Sequence, residues 1–311
     1  MPLASRADIP QTPFAAYLAA ECFERELEEE LGNVVARHGR LLIAPGPPRH
    51  ACWSANTWRN PQLVQAPSIG QAARTLRGMA PLWAGYQLHL FRRAALIADS
   101  LPRVATRPLA FPVPSALPPL ASWTLLDAGT LLVATDCTRP FPNGRPSFAQ
   151  DHTEPPSRAY LKLWEAFTLL GTHPSPGQRC LDLGASPGSW TWVLHQLGST
   201  VVAVDKAALE PRIAALDRVS SICASAFSLD PASLGPFDWV FSDMACYPQR
   251  LYSLVLALRE AWPAARFLCS VKLQGAGDDD ALAAFSSVPG SCLFHLHANG
   301  HELTWALVKG S

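Results

Sequence analysis

The amino-terminal half alternates short apolar runs with polar stretches in the manner of a small α+β domain. In CFERELEEELG, Phe23, Leu27 and Leu31 recur every four residues before Gly32, which predicts a helix that ends there. SIGQAARTLRGMA has the same helical spacing. Strands are predicted for VVARHGRLLIA and YQLHLF, and SWTLLDAGTLLVATDC predicts two strands that turn at residues 127 to 129.

The carboxyl-terminal half alternates strand and helix patterns, which favours a parallel α/β sheet. The predicted strands are RCLDLGA, TVVAVD, DWVFSDM and RFLCSVKL, and the predicted helices are SWTWVLHQLG and RLYSLVLALREAW. CLFHLHA and LTWALVKG have no helix between them, so they are predicted to form an antiparallel pair that closes the sheet. The proline-rich passage RPFPNGRPSFAQDHTEPPS separates the halves, which we assign as domains 1–150 and 151–311.

Length and composition agree with two folded domains. The chain has 311 residues, 49% of them hydrophobic and 16% charged. It contains no proline-free run of about 18 uncharged apolar residues, and MPLASRADIPQ lacks the apolar core of a signal peptide. We therefore expect a cytoplasmic protein with no membrane partner. The eight cysteines form no CxxC pair, which favours buried free thiols and no structural metal.

The charge is uneven although its sum is zero. Residues 1–150 contain 14 Arg and no Lys against 10 acids. Between Leu31 and Trp123 the only acid is Asp99. The same segment holds ten arginines, Arg37, Arg40, Arg49, Arg59, Arg74, Arg77, Arg92, Arg93, Arg103 and Arg107, interleaved with Trp53, Trp58, Trp83, Tyr86 and Phe91. Guanidinium groups and aromatic faces together suit RNA, and a solvated basic surface over core aromatics is the alternative.

Two features at predicted strand ends indicate a nucleoside cofactor. In DLGASPGSW a strand passes through a turn of small residues into a helix, whose amino terminus offers unpaired N–H groups. This turn is neither the dinucleotide fingerprint nor a P-loop. Asp205 ends the next strand, where a carboxylate can accept hydrogen bonds from the two hydroxyls of a ribose.

Lysine is rare in this chain, and its positions are informative. Only four of the 25 basic residues are Lys, and a lysine, unlike an arginine, can release its proton at workable pH. Lys162 lies in RAYLKLWEAF, a predicted amphipathic helix, while Asp243 and Lys272 end neighbouring strands. Taken singly, each of these residues is equally consistent with a helix cap or a solvent-exposed charge.

In chain order, the lysine of RAYLKLWEAF, SPGSW, the DM of FSDM, the lysine of VKL and the glutamate of HELTW resemble the FtsJ-like ribose 2′-O-methyltransferases. The closer resemblance is to the RlmM-type enzymes, which methylate a cytidine ribose in large-subunit ribosomal RNA. SRAYLKLWEAF and DMACYP match the motifs of that branch. The resemblance covers residues 155 to 309 well and the amino-terminal half more loosely.

This resemblance implies a Rossmann-like class I methyltransferase domain with a mostly parallel seven-stranded sheet, and an α+β THUMP-like RNA-binding domain before it. It implies S-adenosyl-L-methionine as cofactor, ribosomal RNA as partner, and a catalytic tetrad of Lys162, Asp243, Lys272 and Glu302. We assign Lys272 as acceptor of the ribose hydroxyl proton, Asp243 as the acid that positions it, and the other two as orienting partners. No metal is expected, because the sulfonium already makes the methyl group electrophilic.

The resemblance also implies the residues that contact the cofactor. These are Ser157, Gly184, Ser186, Pro187, Gly188, Ser189, Trp190, Asp205, Ser225 and Asp243. Ser189 replaces the second glycine of the family's PGGW, and Ser225 stands where the family commonly offers an acid to the adenine amino group. The adenine contact therefore differs from the family pattern.

Two expectations about chemistry remain open at the level of sequence. Placing Lys162 beside Lys272 with partial burial is expected to lower the pKa of one of them, although Asp243 and Glu302 oppose that shift. Two other functions are compatible with the fold: a methyltransferase acting on another substrate, such as a DNA base or a protein, and a non-catalytic RNA-binding or ribosome-assembly factor.

Overall fold

The computed structural model describes residues 5–11, 13–104, 107–113, 117–275 and 278–308. Contacts within the chain divide it into two units, Met1–Phe148 and Ala149–Ser311. The first unit contains two sheets and the second unit contains one, and each unit has its own buried core.

The first unit is α+β. Its strands are β1 (Phe14–Ala19), β2 (Ala36–His38), β3 (Leu41–Pro45), β4 (Ser54–Arg59), β5 (Gln62–Gln65), β6 (Trp83–Gly85), β7 (Ala121–Leu125), β8 (Thr130–Ala134) and β9 (Asp136–Cys137). Its helices within the described residues are α1 (Glu24–Leu31), α2 (Ile69–Met79) and α3 (Phe91–Asp99).

One sheet of this unit is antiparallel and has the strand order β2-β3-β1-β4-β9. The apolar run FAAYLA forms its central strand, β1, in which every residue is buried. The predicted helix after it is confirmed, because α1 ends at Gly32, whose φ is +70°. VVARHGRLLIA is a hairpin of β2 and β3 rather than one strand, since the chain turns back at Gly39.

The other sheet has the order β5-β8-β7-β6, with β6 parallel to β7 and the other pairs antiparallel. The predicted α2 and the predicted pair of strands turning near Gly129 are both confirmed. The prediction of a strand for YQLHLF is wrong. Residues 86–90 form a connection, and helix α3 begins at Phe91 because Ala94, Ile97 and Leu101 recur at helical spacing and pack into the core.

The second unit is a sheet of seven strands with helices. Its strands are β10 (Arg179–Leu183), β11 (Thr200–Asp205), β12 (Val219–Cys223), β13 (Trp239–Ser242), β14 (Arg266–Lys272), β15 (Cys292–Phe294) and β16 (Glu302–Leu307). Its helices are α4 (Tyr160–Leu170), α5 (Ser189–Gln196), α6 (Pro211–Ala214), α7 (Pro231–Leu234), α8 (Pro248–Ala261) and α9 (Asp278–Ser286).

The strand order of this sheet is β12-β11-β10-β13-β14-β16-β15. The first five are parallel, and β16 is antiparallel to both β14 and β15. All strands and helices predicted for this half are confirmed, including the antiparallel closing pair. Strand β12 was not predicted, because VSSIC is a partly exposed edge strand with too few apolar residues to show a strand pattern.

Sheet pairing determines which side chains meet. The parallel strands β10, β11, β13 and β14 all end at one edge of the sheet, and Lys272 at the end of β14 lies directly opposite Glu302 at the start of β16. Opposed residues on antiparallel strands point to the same face, so the two side chains are brought together by the pairing alone.

The structure bears on two further predictions, the absence of a membrane span and the burial of the cysteines. No helix within the described residues is long and apolar enough to span a membrane. The eight cysteines are free, but the expectation that they are buried holds only for Cys180 and Cys269, while Cys22 and Cys223 are exposed.

Candidate active site

A cavity of about 500 Å³ opens at the carboxyl ends of the parallel strands in the second unit. Its wall contains most of the residues that the sequence predicts for cofactor binding. These are Ser157, Gly184, Ser186, Pro187, Asp205, Ser225 and Asp243. Lys272 also lines the cavity, so the predicted cofactor residues and one predicted catalytic amine face the same space.

Gly184 allows the turn after β10 to pass close to the loop after β13. Its φ is +75°, and a Cβ placed on it would lie 2.6 Å from the side chain of Met244 and 2.9 Å from the Met244 Cα. Because one of these contacts is with backbone, no side-chain movement would make room for a larger residue. The turn therefore needs glycine for both its conformation and its packing.

Asp205 is held in place by the backbone around it. One carboxylate oxygen accepts a hydrogen bond from the Ser186 N–H at 3.1 Å, and the other accepts one from the Ala207 N–H at 2.9 Å. Each oxygen retains a further lone pair, so the fixed carboxylate can still accept two hydrogen bonds from a ligand in the cavity.

Gly188, Ser189 and Trp190 are not among the described residues that line the cavity. Ser189 is buried, and its hydroxyl bonds to the Ser157 hydroxyl at 2.8 Å and accepts from the Ser157 N–H at 2.9 Å. Trp190 is also buried and donates its indole N–H to the Ala159 carbonyl at 3.0 Å. The structure therefore places Ser189 and Trp190 behind the wall, where they anchor the backbone of Ser157 and Ala159 instead of facing a ligand.

Ser225 lines the cavity at the end of the sheet beside Phe227. Its hydroxyl accepts a hydrogen bond of 3.4 Å from the Phe227 N–H at the start of a short 3-10 turn. A hydroxyl can accept and donate at once, so Ser225 can still bond an amino group, although as a weaker acceptor than a carboxylate.

The four predicted catalytic residues form one connected cluster. Lys162 Nζ lies 3.1 and 3.2 Å from the two carboxylate oxygens of Asp243 and 2.5 Å from Glu302 Oε1. Lys272 Nζ donates to the Asp243 carbonyl at 2.7 Å and lies 3.3 Å from Asp243 Oδ1. The amines of both lysines thus share one oxygen of Asp243.

The two lysines differ in their access to the cavity. The side chain of Lys162 is 13% exposed and lies between two carboxylates, whereas that of Lys272 is 29% exposed and lines the cavity. Burial lowers the pKa of Lys162, but the charges and hydrogen bonds of Asp243 and Glu302 outweigh this, and the net pKa is raised. Lys162 is therefore not the lysine whose pKa is lowered.

Glu165 is a residue of this site that the sequence-based assignment missed. Its buried carboxylate accepts hydrogen bonds from the backbone N–H groups of His297 at 2.8 Å and Ala298 at 3.3 Å. Glu165 lies one helical turn after Lys162 on α4, so the same helix contacts both Glu302 and the turn that precedes it. An acid among the apolar positions of YLKLWEAF is the signal that could have identified it.

Asp182 is a second missed residue. Its buried carboxyl, two residues before Gly184, accepts a hydrogen bond of 2.7 Å from the Thr191 hydroxyl. Burial raises the pKa of Asp182 to about 7, and the nearby charges of Asp243 and Asp205 add to that rise. An acid inside the otherwise apolar strand RCLDL marks it in the sequence.

Most of the predicted RNA-binding aromatics have another role. Trp53, Trp58, Trp83 and Tyr86 are buried in the first unit, which favours the alternative of core aromatics for these four. Their large apolar surfaces are the ones that a small core buries first. Phe91, at the start of α3, is 61% exposed.

The ten arginines of that segment divide in a similar way. Six bond within the first unit: Arg37 to Glu28, Arg40 to the Ala19 carbonyl, Arg49 to the end of α1, Arg59 to Asp136, Arg77 to the Ser100 carbonyl, and Arg93 to the Ala66 carbonyl. Four are exposed and have no hydrogen bond or ion pair with another described residue: Arg74, Arg92, Arg103 and Arg107.

Within the part of the chain that the structure describes, no group of three or more His, Cys, Asp or Glu side chains is placed to hold a metal ion.

The relatives of this chain include proteins with the name ribosomal RNA large subunit methyltransferase M. The protein from Xanthomonas campestris pv. campestris (strain B100) is 32% identical over 201 residues, 61% of this chain and 53% of its own. That from Azoarcus sp. (strain BH72) is 37% identical over 151 residues, 47% and 40% of the two chains. That from Xylella fastidiosa (strain 9a5c) is 40% identical over 116 residues, 35% and 32%. The chain thus spans about half the length of these relatives or less.

Among solved structures, human methyltransferase-like protein 13 in complex with SAH has a TM-score of 0.35 and 17% identity, over 43% of this chain and 72% of that chain. The family comparison is more specific, because residues 155–272 match the model of the FtsJ-like methyltransferase family. This range contains the cavity turn, Asp205, Asp243 and both cluster lysines. Residues 155–272 are therefore similar to the FtsJ-like methyltransferase family.

Proposed function

We propose that this protein is an S-adenosyl-L-methionine-dependent ribose 2′-O-methyltransferase that acts on a cytidine of large-subunit ribosomal RNA. The observation that carries the proposal is the cluster of Lys162, Asp243, Lys272 and Glu302 at the edge of a nucleoside-sized cavity. The names of the relatives support the choice of ribosomal RNA. A complete cluster also argues against a non-catalytic assembly factor, which would need none of its four members.

The cavity fits S-adenosylmethionine. A volume of about 500 Å³ lies within the range of small-molecule sites, and the tight turn at Gly184 brings backbone to its wall. Asp205 would hold the ribose hydroxyls, and Ser225 with Phe227 would hold the adenine ring. When bound, the cofactor supplies an electrophilic methyl group on a positively charged sulfur.

The protein's own contribution is to orient the hydroxyl and remove its proton. A ribose 2′-hydroxyl hardly ionises near neutral pH, so Lys272 Nζ would accept its proton as the new oxygen–carbon bond forms. Lys162 lies on the same oxygen of Asp243 as Lys272. The shared carboxylate therefore fixes the positions of both amines. Glu302 holds Lys162 in place.

The first unit is proposed to be the RNA-binding, THUMP-like domain. The support is the set of exposed arginines without partners among the described residues, Arg74, Arg92, Arg103 and Arg107, together with the exposed ring of Phe91 on α3. A ribosomal RNA substrate would also place the protein in the cytoplasm.

The decisive experiment incubates the protein with methyl-labelled cofactor and total ribosomal RNA, then identifies the labelled nucleoside. We expect a 2′-O-methylated nucleoside, and label on a base or on protein would contradict the proposal. Lys272→Arg should abolish transfer while cofactor affinity, measured by calorimetry, stays unchanged, because arginine keeps the charge but cannot accept the proton.

Lys206→Arg is the matched control. It makes the same substitution at another lysine of the cavity wall, which has no role in the proposed proton transfer. We expect it to keep most of the activity. Substantial transfer by Lys272→Arg, or an equal loss in both variants, would overturn the assignment of Lys272 as the base.

A further inference from the structure

The loop between β13 and α8 carries an exposed aromatic ring at the edge of the cavity. Ala245 and Cys246 line the cavity, and Tyr247 follows them with 60% of its surface exposed. Tyr247 makes no hydrogen bond through its hydroxyl to another described residue. With most of its surface exposed, this ring can contact a ligand.

Arg250 lies one turn further along α8. Its guanidinium stacks on the ring of Phe227, a residue of the cavity wall, at 4.0 Å from the ring centroid. Arg250 forms no ion pair with any carboxylate in the described part of the chain. A guanidinium stacked in this way is held rigidly, and its N–H edges stay available for an anion.

The same loop contains Cys246, which lines the cavity together with Lys272. Burial raises the pKa of the Cys246 thiol, and the positive charges of Arg250 and Lys272 both act to lower it. Cys246 is therefore within electrostatic reach of Arg250 and of the proposed base. Tyr247 follows Cys246 directly in the chain and Arg250 contacts Phe227, so both residues adjoin residues that line the cavity with Lys272.

We propose that Tyr247 and Arg250 bind the target nucleotide, with its base stacked on the Tyr247 ring and a neighbouring backbone phosphate on the Arg250 guanidinium. This inference rests on the proposed function and deepens it, because it names the residues that would present the ribose to Lys272. An aromatic face stacks on any base, and an unpaired guanidinium complements a phosphate, so the pair fits a nucleotide of unpaired RNA.

The chain offers suitable variants for a test. Tyr247 precedes α8 with an extended backbone (φ −63°, ψ 139°) and makes no side-chain cap, so Tyr247→Ala should leave the start of the helix intact. Tyr247→Phe retains the ring and removes only the hydroxyl. Leu256→Ala removes another exposed apolar side chain from the same helix and serves as the control.

The experiment measures kcat and KM for ribosomal RNA, together with the Kd for S-adenosylmethionine, in all four proteins. Loss of base stacking should raise the KM of Tyr247→Ala for RNA roughly 5- to 150-fold. The cofactor Kd should stay within about twofold, and Tyr247→Phe and Leu256→Ala should resemble the wild type.

Three results would overturn the inference in different ways. Unchanged kinetics in Tyr247→Ala would show that the ring does not bind RNA, while the proposed function would stand. An equally large loss of cofactor affinity would assign Tyr247 to the cofactor site. A wild-type protein that methylates no RNA would remove the proposed function itself, and this inference with it.

Discussion

Glu165 and Glu302 are both buried acids, yet they stabilise the active site by different means. Glu302 pairs with a charged amine, while Glu165 bonds to two backbone N–H groups of the turn that leads to β16. Sequence motifs identified Glu302 because the family places an acid there. They did not assign Glu165, because its role depends on a turn more than 130 residues away in the chain.

Replacing Glu165 should disturb the cluster without touching the cofactor. Glu165→Ala removes the carboxylate that accepts from two partly exposed backbone N–H groups, and each hydrogen bond to a charged group contributes about 1.5–3 kcal/mol at most. We expect a lower Tm and a lower kcat, with the cofactor Kd unchanged. Thermal unfolding, steady-state kinetics and calorimetry would measure these effects. Glu260→Ala, at an exposed acid on α8, is the control, and equal effects in both variants would contradict the role of Glu165.

The raised pKa of Asp182 predicts that the stability of the protein depends on pH. Its pKa rises from an ordinary 3.8 to about 7 on folding, so between these values the folded state binds more protons than the unfolded state. This residue's contribution to stability is therefore greatest at low pH and falls as pH rises, until it levels off above 7. From pH 5 to pH 8 the loss should be about 3 kcal/mol.

Asp182→Asn should remove this pH dependence, because an amide keeps an oxygen for the Thr191 hydroxyl and does not titrate. Urea unfolding of both proteins at pH 5 and pH 8 measures the difference. We expect the variant to gain stability relative to the wild type as pH rises. A difference that does not change with pH would show that Asp182 is ionised in the folded protein.

Helices and strands were predicted correctly from the sequence where the pattern of apolar residues extends over a long segment. The prediction failed where the pattern covers only a few residues. Strands β10, β11, β13 and β14 are mostly apolar and were all predicted. In YQLHLF, apolar and polar residues alternate over only six positions. The helical pattern that follows extends further along the chain, and helix α3 forms there. The four-residue period also placed Phe23 inside α1, but Phe23 only precedes that helix.

The turn after β10 permits a test with a matched control. Gly184 and Gly171 both have positive φ, +75° and +65°, but only Gly184 has neighbours that a Cβ would meet. Both Gly→Ala variants should lose about 1–2 kcal/mol of stability from the backbone conformation. Gly184→Ala should lose more, and it alone should weaken cofactor binding, as measured by chemical unfolding and calorimetry. Equal cofactor affinity in the two variants would show that the turn does not approach the ligand.

For the molecule as a whole, the sequence predicted the distribution of charge but not its use. A count of arginines cannot distinguish Arg49, which caps the end of α1, from Arg74, which is exposed and lacks a partner among the described residues. The aromatics show the same limit. Only burial, which depends on the complete fold, separates Trp58 in the core from Phe91 on the surface.

RNA affinity should depend on salt through the exposed arginines. Each phosphate contact releases counterions, so the plot of log affinity against log salt should be steep for the wild type. Arg74→Gln combined with Arg92→Gln should reduce the slope by about 1.5. Arg25→Gln is the control, because Arg25 is exposed but paired with Glu29 on the acidic helix α1. A slope unaffected by the double variant would place the RNA elsewhere.

The pairing of Lys272 on β14 with Glu302 on β16 also limits which insertions and deletions strand β16 can accept. Leu303 and Trp305 point to the opposite face from Glu302, and both are buried. If one residue were deleted between Glu302 and Trp305 and Trp305 kept its place in the core, Glu302 would turn away from Lys162. Insertions and deletions inside this strand should therefore be tolerated only in pairs, whereas the connections on either side can absorb single ones.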